Sequence, residues 1–435
     1  VIWLGLALLL LAAFGTPFFA LIAALAVFGF VYAGYEPTLL VVEFNRIAEM
    51  PVLVAIPLFT LAGYVLSESA APQRLVRLAN ASVGWMPGGL AIVAIFACAI
   101  FTVLTGASGV TIVALGAVLL PALRHGMYDD KFNLGLLTTS GSLGMLFAPA
   151  LPLIIFGVVA QQLNLENAPP VEMQQLFLAG ILPGVLMIVA LSIYAVAMAP
   201  KNAPLQTFRV NEFAAAVKDS AWELPLPILV AIGILSGKVA PSEIAAVTAI
   251  YVLVVYVVIR RELPFRALPR VLRDAMMLVG AILTILGMSL ALTNVFIDQE
   301  IPNKLFDLVR THIDSKITFL LILNVFLLIF GMLLEGIPAI VILTPLLLPI
   351  AVGYGIHPVH FGIIFIANLQ IGLFLPPVGM NLFIASMRFQ QPITRLVRAC
   401  VPFFLILLVC TLIITYVPWL SLVLLGPTIA PSLGP

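Results

Sequence analysis

Charge is what this sequence has least of. Of its 435 residues only 9% are Asp, Glu, Lys or Arg, while 63% are hydrophobic. A soluble domain carries about a quarter charged residues, so ordinary globular packing in water is excluded. A net charge of +1 gives no support to nucleic acid as a partner. Cysteine is scarce too: Cys98, Cys400 and Cys410 lie in apolar runs without metal-ligand spacing and read as small core or lipid-facing hydrophobes. No HExxH, Walker A loop or GxSxG elbow is present, so the chain is not read as an enzyme. Of the histidines, His125 and His312 lie in polar links and His357 and His360 near the start of an apolar run, which suits solvated or interfacial roles better than a proton relay. No basic n-region marks a cleavable signal peptide, and Val1 in place of Met leaves room for a missing N-terminal piece.

What is present is apolar chain in helix-length pieces of roughly 17 to 25 residues, not the alternating ten-residue strands of an outer-membrane barrel. The fold class is therefore an all-α polytopic membrane protein. Spans are expected over 1–14, 17–32, 51–66, 176–198, 224–236, 241–259, 275–293 and 398–425, with an amphipathic interfacial helix near Arg74 and Arg77. The run 88–123 is interrupted at its middle by Thr105-Gly106-Ala107-Ser108-Gly109, and 317–350 by Glu335-Gly336-Ile337-Pro338. Turns that reach headgroups normally carry polar residues, so the short uncharged first turn is read as a re-entrant hairpin with its tip at mid-membrane, and the second interruption is read as its counterpart. The runs 132–162 and 359–387 contain Ser140-Gly141, Gly144 and Pro149, and Gly372, Pro376-Pro377 and Gly379, and are read as spans broken at depth.

These landmarks repeat. Gly106 and Gly336 are 230 positions apart, while Ser140 and Asn368, and Pro149 and Pro377, are 228 apart. The expected organisation is a first repeat over 1–199, a cytoplasmic connection over 200–223, a second repeat over 224–426 and a tail over 427–435. Five full spans and one hairpin per repeat is an odd count, so the repeats are inverted relative to one another. Loop charge agrees: of the 20 Lys and Arg residues only Arg46, Lys238, Lys304, Arg310 and Lys316 fall on one side, which places the other side in the cytoplasm and both termini outside it.

Two tips and two broken helices converging near the midplane offer free carbonyls for a small hard cation and free N–H groups for a carboxylate. Thr105, Ser108, Thr111, Thr139, Ser140 and Ser142 in one half, and Asn368, Gln370 and Asn381 in the other, add neutral oxygen and amide groups. Packing accounts for many such residues taken singly. Their gathering at repeat-related places points to a transport site for sodium and a carboxylate-bearing solute. Glu335 is a carboxylate far from loop charges, either a cation ligand or an acceptor for backbone N–H groups at the tip.

The runs GASGVTIVALGAVLLPAL, TTSGSLGMLFAPALPLIIFGVV, EGIPAIVILTPLLLPIA and NLQIGLFLPPVGMNLFIAS, with HPVHFG ahead of the last, resemble the large membrane subunit, of DctM type, of tripartite ATP-independent periplasmic (TRAP) transporters. The resemblance covers essentially the whole chain. It implies an ion-transporter-superfamily fold in which a transport domain moves as an elevator against a scaffold in the bacterial inner membrane. It implies sodium as coupling ion, a small four-helix membrane subunit and a periplasmic substrate-binding protein as partners, and a small anionic substrate. The family's sodium and substrate positions fall on Thr105, Gly106, Ser108, Thr139, Ser140, Gly141 and Gly144, and on Glu335, Gly336, Asn368, Pro377, Gly379, Met380 and Asn381. Among these, sodium itself is assigned to Ser108, Ser140, Gly144, Glu335, Gly336 and Asn368. Many members carry Asp-Pro or Glu-Pro at the second tip; here Glu335 is followed by Gly336, with Pro338 beyond it. A stand-alone sodium or proton symporter of the same superfamily and a non-transporting anchor subunit are the other readings. C4-dicarboxylates, sialic acid, sugar acids and sulfonates all remain open as substrates.

Overall fold

The computed structural model describes residues 10–11, 14–163, 165, 168–200, 208–236 and 239–426. The expected first span over 1–14, Lys201, Lys238 and the tail over 427–435 lie wholly or mostly outside them. Every regular element among the described residues is helical. Among the described residues, eight helices are long and apolar enough to cross a membrane, or nine if one bent pair counts as a span. Large side chains such as Ile193, Ile232, Ile250 and Ile317 stay exposed, as lipid-facing positions should.

In chain order, α1 (Phe18–Tyr32), α2 (Leu39–Arg46) and α3 (Ala55–Glu68) lead to the amphipathic α4 (Ala71–Val83). Then α5 (Gly89–Thr105) and α6 (Ser108–His125) pack on each other, separated by only Gly106 and Ala107. Gly106 makes that reversal with φ +69°, a conformation that disfavours any side chain. The next run is α7 (Asp130–Ser140), a 3₁₀ turn over Leu143–Leu146 and α8 (Leu151–Gln162), bent by 41° at the break. After α9 (Met173–Ala179), α10 (Ile181–Ala197) and α11 (Val210–Asp219) come α12 (Pro225–Ser236), α13 (Pro241–Leu253), α14 (Leu268–Asp298) and α15 (Ile301–His312). The second interrupted runs form α16 (Lys316–Leu333) and α17 (Gly336–Gly353), then α18 (Pro358–Gly372) and α19 (Met380–Phe389). The chain closes with α20 (Ile393–Tyr416) and α21 (Trp419–Leu422). The Ala148-Pro149 and Pro376-Pro377 bonds are both cis.

Several boundaries differ from the sequence reading for identifiable reasons. Helix α14 runs 31 residues because Arg270 and Arg273, expected in a basic link over Arg260 to Arg273 ahead of the span 275–293, sit on its first turns instead. Helix α12 has 12 residues, about 18 Å, which is short of a hydrocarbon core of about 30 Å. Helix α20 starts earlier than expected and ends at Tyr416, because Val417 precedes a proline and is disfavoured in helix. The polar segment 298–316, expected as a link, contains a helix of its own, α15 (Ile301–His312).

Packing is reciprocal between the halves: α3 lies on α13 and α1 on α14, while α6 lies on α19 and α17 on α8. One large core holds the hairpins and broken helices, with Phe101, Phe156, Phe361 and Phe365 among its fully buried side chains. A second core gathers Leu61, Val65, Leu226, Tyr256 and Val271 around α3 and α13, and a third joins Ile22 and Ala26 of α1 to Ala291 and Val295 of α14.

Helix α4 is not simply an interfacial arm, because Arg74 is buried. Its Nε donates to Glu223 Oε1 at 2.8 Å and its Nη1 to Glu262 Oε1 at 2.6 Å, while Tyr256 Oη donates to Glu223 Oε1 at 2.7 Å. Burial alone would lower the Arg74 pKa, but the hydrogen bonds to Glu262 and Glu223 outweigh it and hold the guanidinium above its ordinary range. Stranding a buried charge costs roughly 3–5 kcal/mol, and because Glu262 keeps Arg74 partly paired, loss of Glu223 costs a fraction of that. Glu223→Ala is therefore expected to lower the melting temperature of the detergent-purified protein by several degrees, and Glu223→Gln by less. An unchanged melting temperature for Glu223→Ala would show that this network does not hold the arm.

Candidate functional site

A cavity of about 510 Å³ is lined by both turns expected at mid-membrane, Gly106 to Ser108 and Glu335-Gly336. The first turns of four helices meet on it: Ser108, Gly109 and Val110 of α6, Leu151 and Pro152 of α8, Gly336 and Ile337 of α17, and Met380 of α19. Each first turn presents backbone N–H groups without intrahelical partners and the positive end of a helix dipole. Tyr64, Ser67 and Glu68 of α3 and Val271, Asp274 and Leu278 of α14 form the facing wall. Among the described residues the lining carries three carboxylates, Glu68, Asp274 and Glu335, and no Lys, Arg or His.

Of the residues singled out in the sequence, Gly106, Ser108, Glu335, Gly336 and Met380 line this cavity. The others stand behind it or spend their polar groups elsewhere. Thr105 Oγ1 donates back to the Phe101 carbonyl at 2.9 Å and Thr139 Oγ1 to the Gly135 carbonyl at 2.8 Å, so both hydroxyls serve their own helices. Gly144 allows the backbone of the first break to approach Ala99 and Val103 of α5, where an added Cβ would lie 2.6 Å from Thr102 Cβ. Gly372 approaches Gly331 of α16 in the same way. Gly379 continues the second break by donating to the Leu375 carbonyl at 2.9 Å, and Pro377 is exposed beside it. At the second tip Glu335 is the N-cap residue of α17, but its side chain makes no capping hydrogen bond, so the backbone-acceptor alternative is not what the side chain does. Gly336 opens the helix, and Pro338 sits within the first turn, where a missing N–H costs little.

The first tip is tied to the second break directly. Ser108 Oγ donates to Asn381 Oδ1 at 2.8 Å, 273 positions apart in sequence. Behind it, Thr102 Oγ1 lies 2.7 Å from Thr111 Oγ1 and donates to the Gly141 carbonyl at 2.8 Å. Asn368 Nδ2 donates to Asn324 Oδ1 at 2.8 Å and to the Ile364 carbonyl at 2.9 Å, and Thr415 Oγ1 reaches the same Asn324 oxygen at 3.1 Å. Among the described residues, Ser140 Oγ, Asn368 Oδ1 and Asn381 Nδ2 are buried without a hydrogen-bond partner. Such orphan groups are costly unless a ligand or water meets them. Two oxygens and an amide N–H are thus left next to the ends of broken helices.

Sequence reasoning missed Thr102, Asn324, Tyr64 and Asp274. Asn324 had a signal, being the lone amide in the apolar run 317–333. Tyr64 and Asp274 had none, since only packing of α3 and α14 against the tips brings them to the cavity. His360 also departs from its expected interfacial role: it is 3% exposed, 3.2 Å from Ser421 Oγ and 3.3 Å from the Thr415 carbonyl.

Spans broken at depth around a cavity where helix starts converge define a multi-pass membrane permease, not an enzyme. The chain matches the family model "Tripartite ATP-independent periplasmic transporter, DctM component" over residues 4–420 and therefore belongs to that family. It is 34% identical over 387 residues to the C4-dicarboxylate TRAP transporter large permease protein DctM of Pseudomonas aeruginosa, covering 88% of each chain. It is 33% identical over 388 residues to the isethionate TRAP transporter permease protein DctMQ of Oleidesulfovibrio alaskensis, covering 88% of this chain but 60% of that longer protein. The crystal structure of the Alcanivorax borkumensis YdaH transporter shares the fold, with a TM-score of 0.64 at 17% identity over 90% of this chain and 89% of that one.

The Ser108–Asn381 bond gives a test of the tip's link to the second break. A hydrogen bond of about 1–1.5 kcal/mol corresponds to roughly tenfold in a rate or affinity. Ser108→Ala and Asn381→Ala are each expected to lower initial uptake about tenfold, and the double variant to be little worse than either. Fully multiplicative losses in that cycle would show that the two residues act separately.

Proposed function

We propose that this chain is the transport subunit of a sodium-driven TRAP system importing a small organic anion by an elevator mechanism. The observation that supports it most is the convergence of four helix N-termini on one cavity reached by both tips. Fixed N–H groups there suit a carboxylate or sulfonate without needing a cationic side chain. Isethionate and C4-dicarboxylates, named for the two relatives, both belong to this class of anion. Sodium is assigned to carbonyl ends and side-chain oxygens at the tips and breaks: Ser108, Ser140 and Gly144 in the first half, and the Glu335 carboxylate, Gly336 and Asn368 in the second. The orphan oxygens of Ser140 and Asn368 favour this.

The halves over 1–199 and 224–426 act as inverted repeats, a reading supported by the reciprocal packing of α6 on α19 and α17 on α8. These hairpins and broken helices form the moving body, and α3, α13, α1 and α14 the scaffold. The cavity reaches Ser67, Glu68, Val271 and Asp274, beside the basic-rich links assigned to the cytoplasm, which suits an inward-facing state. Its partners are a small four-helix membrane subunit and a periplasmic binding protein in the bacterial inner membrane; the fused relative's name, DctMQ, fits a second permease part joined to this one.

In proteoliposomes holding this chain with its small subunit, uptake is expected only with both an inward sodium gradient and the loaded binding protein. Ser140→Ala and Asn368→Ala are expected to raise the sodium concentration for half-maximal uptake severalfold. Uptake without any periplasmic protein, or undiminished with potassium replacing sodium, would overturn the proposal.

A further inference from the structure

Asn324 is the lone amide of α16, lies near its middle and is 2% exposed. A polar side chain at that depth is costly unless its groups are used. Its Nδ2 donates to the Leu320 carbonyl at 2.7 Å. Its Oδ1 accepts from Asn368 Nδ2 of α18 at 2.8 Å and lies 3.1 Å from Thr415 Oγ1 of α20.

These bonds have a direction. A backbone carbonyl only accepts, so Leu320 fixes which end of the Asn324 amide is nitrogen and leaves Oδ1 as the end that meets α18. That oxygen can take only an N–H from Asn368. The second Asn368 N–H goes to the Ile364 carbonyl at 2.9 Å, again an acceptor only. With both amide hydrogens spent, the atom of Asn368 left unmet among the described residues is Oδ1, buried about one turn ahead of the end of α18 at Gly372. The orphan is therefore an oxygen, which suits a small hard cation and repels an anion.

The first half needs no such helper. There the residue 228 positions ahead of Asn368 is Ser140, whose hydroxyl can swing its hydrogen away from a cation unaided. The positions 230 and 228 ahead of Asn324 are Ala94 and Phe96, both apolar. A partner amide is present only in the half where the unmet oxygen belongs to an amide, which can be held either way round. We propose that Asn324 is a positioning residue for the coupling ion, holding the Asn368 amide so that Oδ1 and not Nδ2 is offered to sodium. This rests on the assignment of sodium to Asn368 made above.

The test is calorimetric titration of sodium into the purified complex of this chain and its small subunit, with no organic anion present and choline holding the ionic strength constant. Loss of one hydrogen bond corresponds to roughly tenfold in affinity. Asn324→Leu is expected to raise the sodium dissociation constant about tenfold and Asn368→Ala by at least as much, while the double variant matches Asn368→Ala alone. If Asn324→Leu does not assemble, Asn324→Ser, whose hydroxyl is too short to meet Asn368, takes its place in the cycle. Asn324→Asp keeps an oxygen opposite Asn368 Nδ2 and is expected to bind sodium at least as well as the wild type. Thr415→Val removes the other contact to the Asn324 oxygen at constant shape and is expected to leave sodium affinity unchanged. Unchanged affinity in Asn324→Leu, multiplicative losses in the cycle, Asn324→Asp as weak as Asn324→Leu, or an equal loss in Thr415→Val would overturn the proposal, since Asn324 would then act through packing or not at all. A wild-type complex that binds no sodium would remove the sodium assignment and this inference together. Sodium binding untouched by Asn324→Leu would remove this inference alone.

Discussion

In hydrocarbon, a backbone N–H or C=O without a partner costs several kcal/mol, and this one constraint organises the molecule. Helices satisfy it everywhere except at their ends. The chain nevertheless stops helices inside its largest core, after Thr105, Ser140, Leu333 and Gly372. Each interruption is covered by protein. Gly144 lets the first break lie against the backbone of α5, Gly372 lets the second lie against Gly331, and the Thr102 hydroxyl meets the Gly141 carbonyl. Asn381 N–H reaches back to the Leu373 carbonyl at 2.9 Å, bridging the second break. What is left over after this accounting is small and faces the cavity or lies just behind it.

The same constraint explains what the sequence could and could not reveal. Breaks were legible because Gly, Pro and Ser within apolar runs have few other reasons to be there, and Gly106 at φ +69° is such a case. Lengths of apolar runs gave most helices, but charged residues misled at the ends. Arg270 and Arg273 read as a link, yet they belong to the first turns of α14, where Arg270 pairs with Glu68 at 2.6 Å. Likewise Arg74 read as an interfacial side chain, whereas Glu223 and Glu262 take it inside. Its partners are 149 and 188 positions away, a distance over which hydropathy carries no information.

For the site, the tips and breaks were visible as residue types, but the division of labour among them was not. Thr105 and Thr139 look equivalent to Ser140 in sequence. Only the backbone shows that the first two hydroxyls fold back onto their own helices while the third is left unmet. Asn324 could have been found by the argument applied to Glu335, since both are polar groups isolated in apolar runs. The facing wall of Tyr64, Glu68 and Asp274 depends on how α3 and α14 pack, and no local pattern encodes it.

Electrostatics gives the cavity its particular character. Four helix starts contribute roughly half a positive charge each, about two in total, fixed in place and impossible to titrate. Against them stand Glu68, Asp274 and Glu335, but Glu68 is paired with Arg270 and Asp274 lies 3.5 Å from Arg273. Glu335 alone sits at a tip with no ion-pair partner among the described residues, at the start of α17. An anion entering this cavity meets the helix starts and that carboxylate together. Under the proposed sodium coupling, a cation beside Glu335 would cancel the one nearby charge that opposes the anion, so the two solutes would favour each other's binding. Under the same proposal, once the cation leaves, the carboxylate again opposes the anion and weakens its hold on the helix starts.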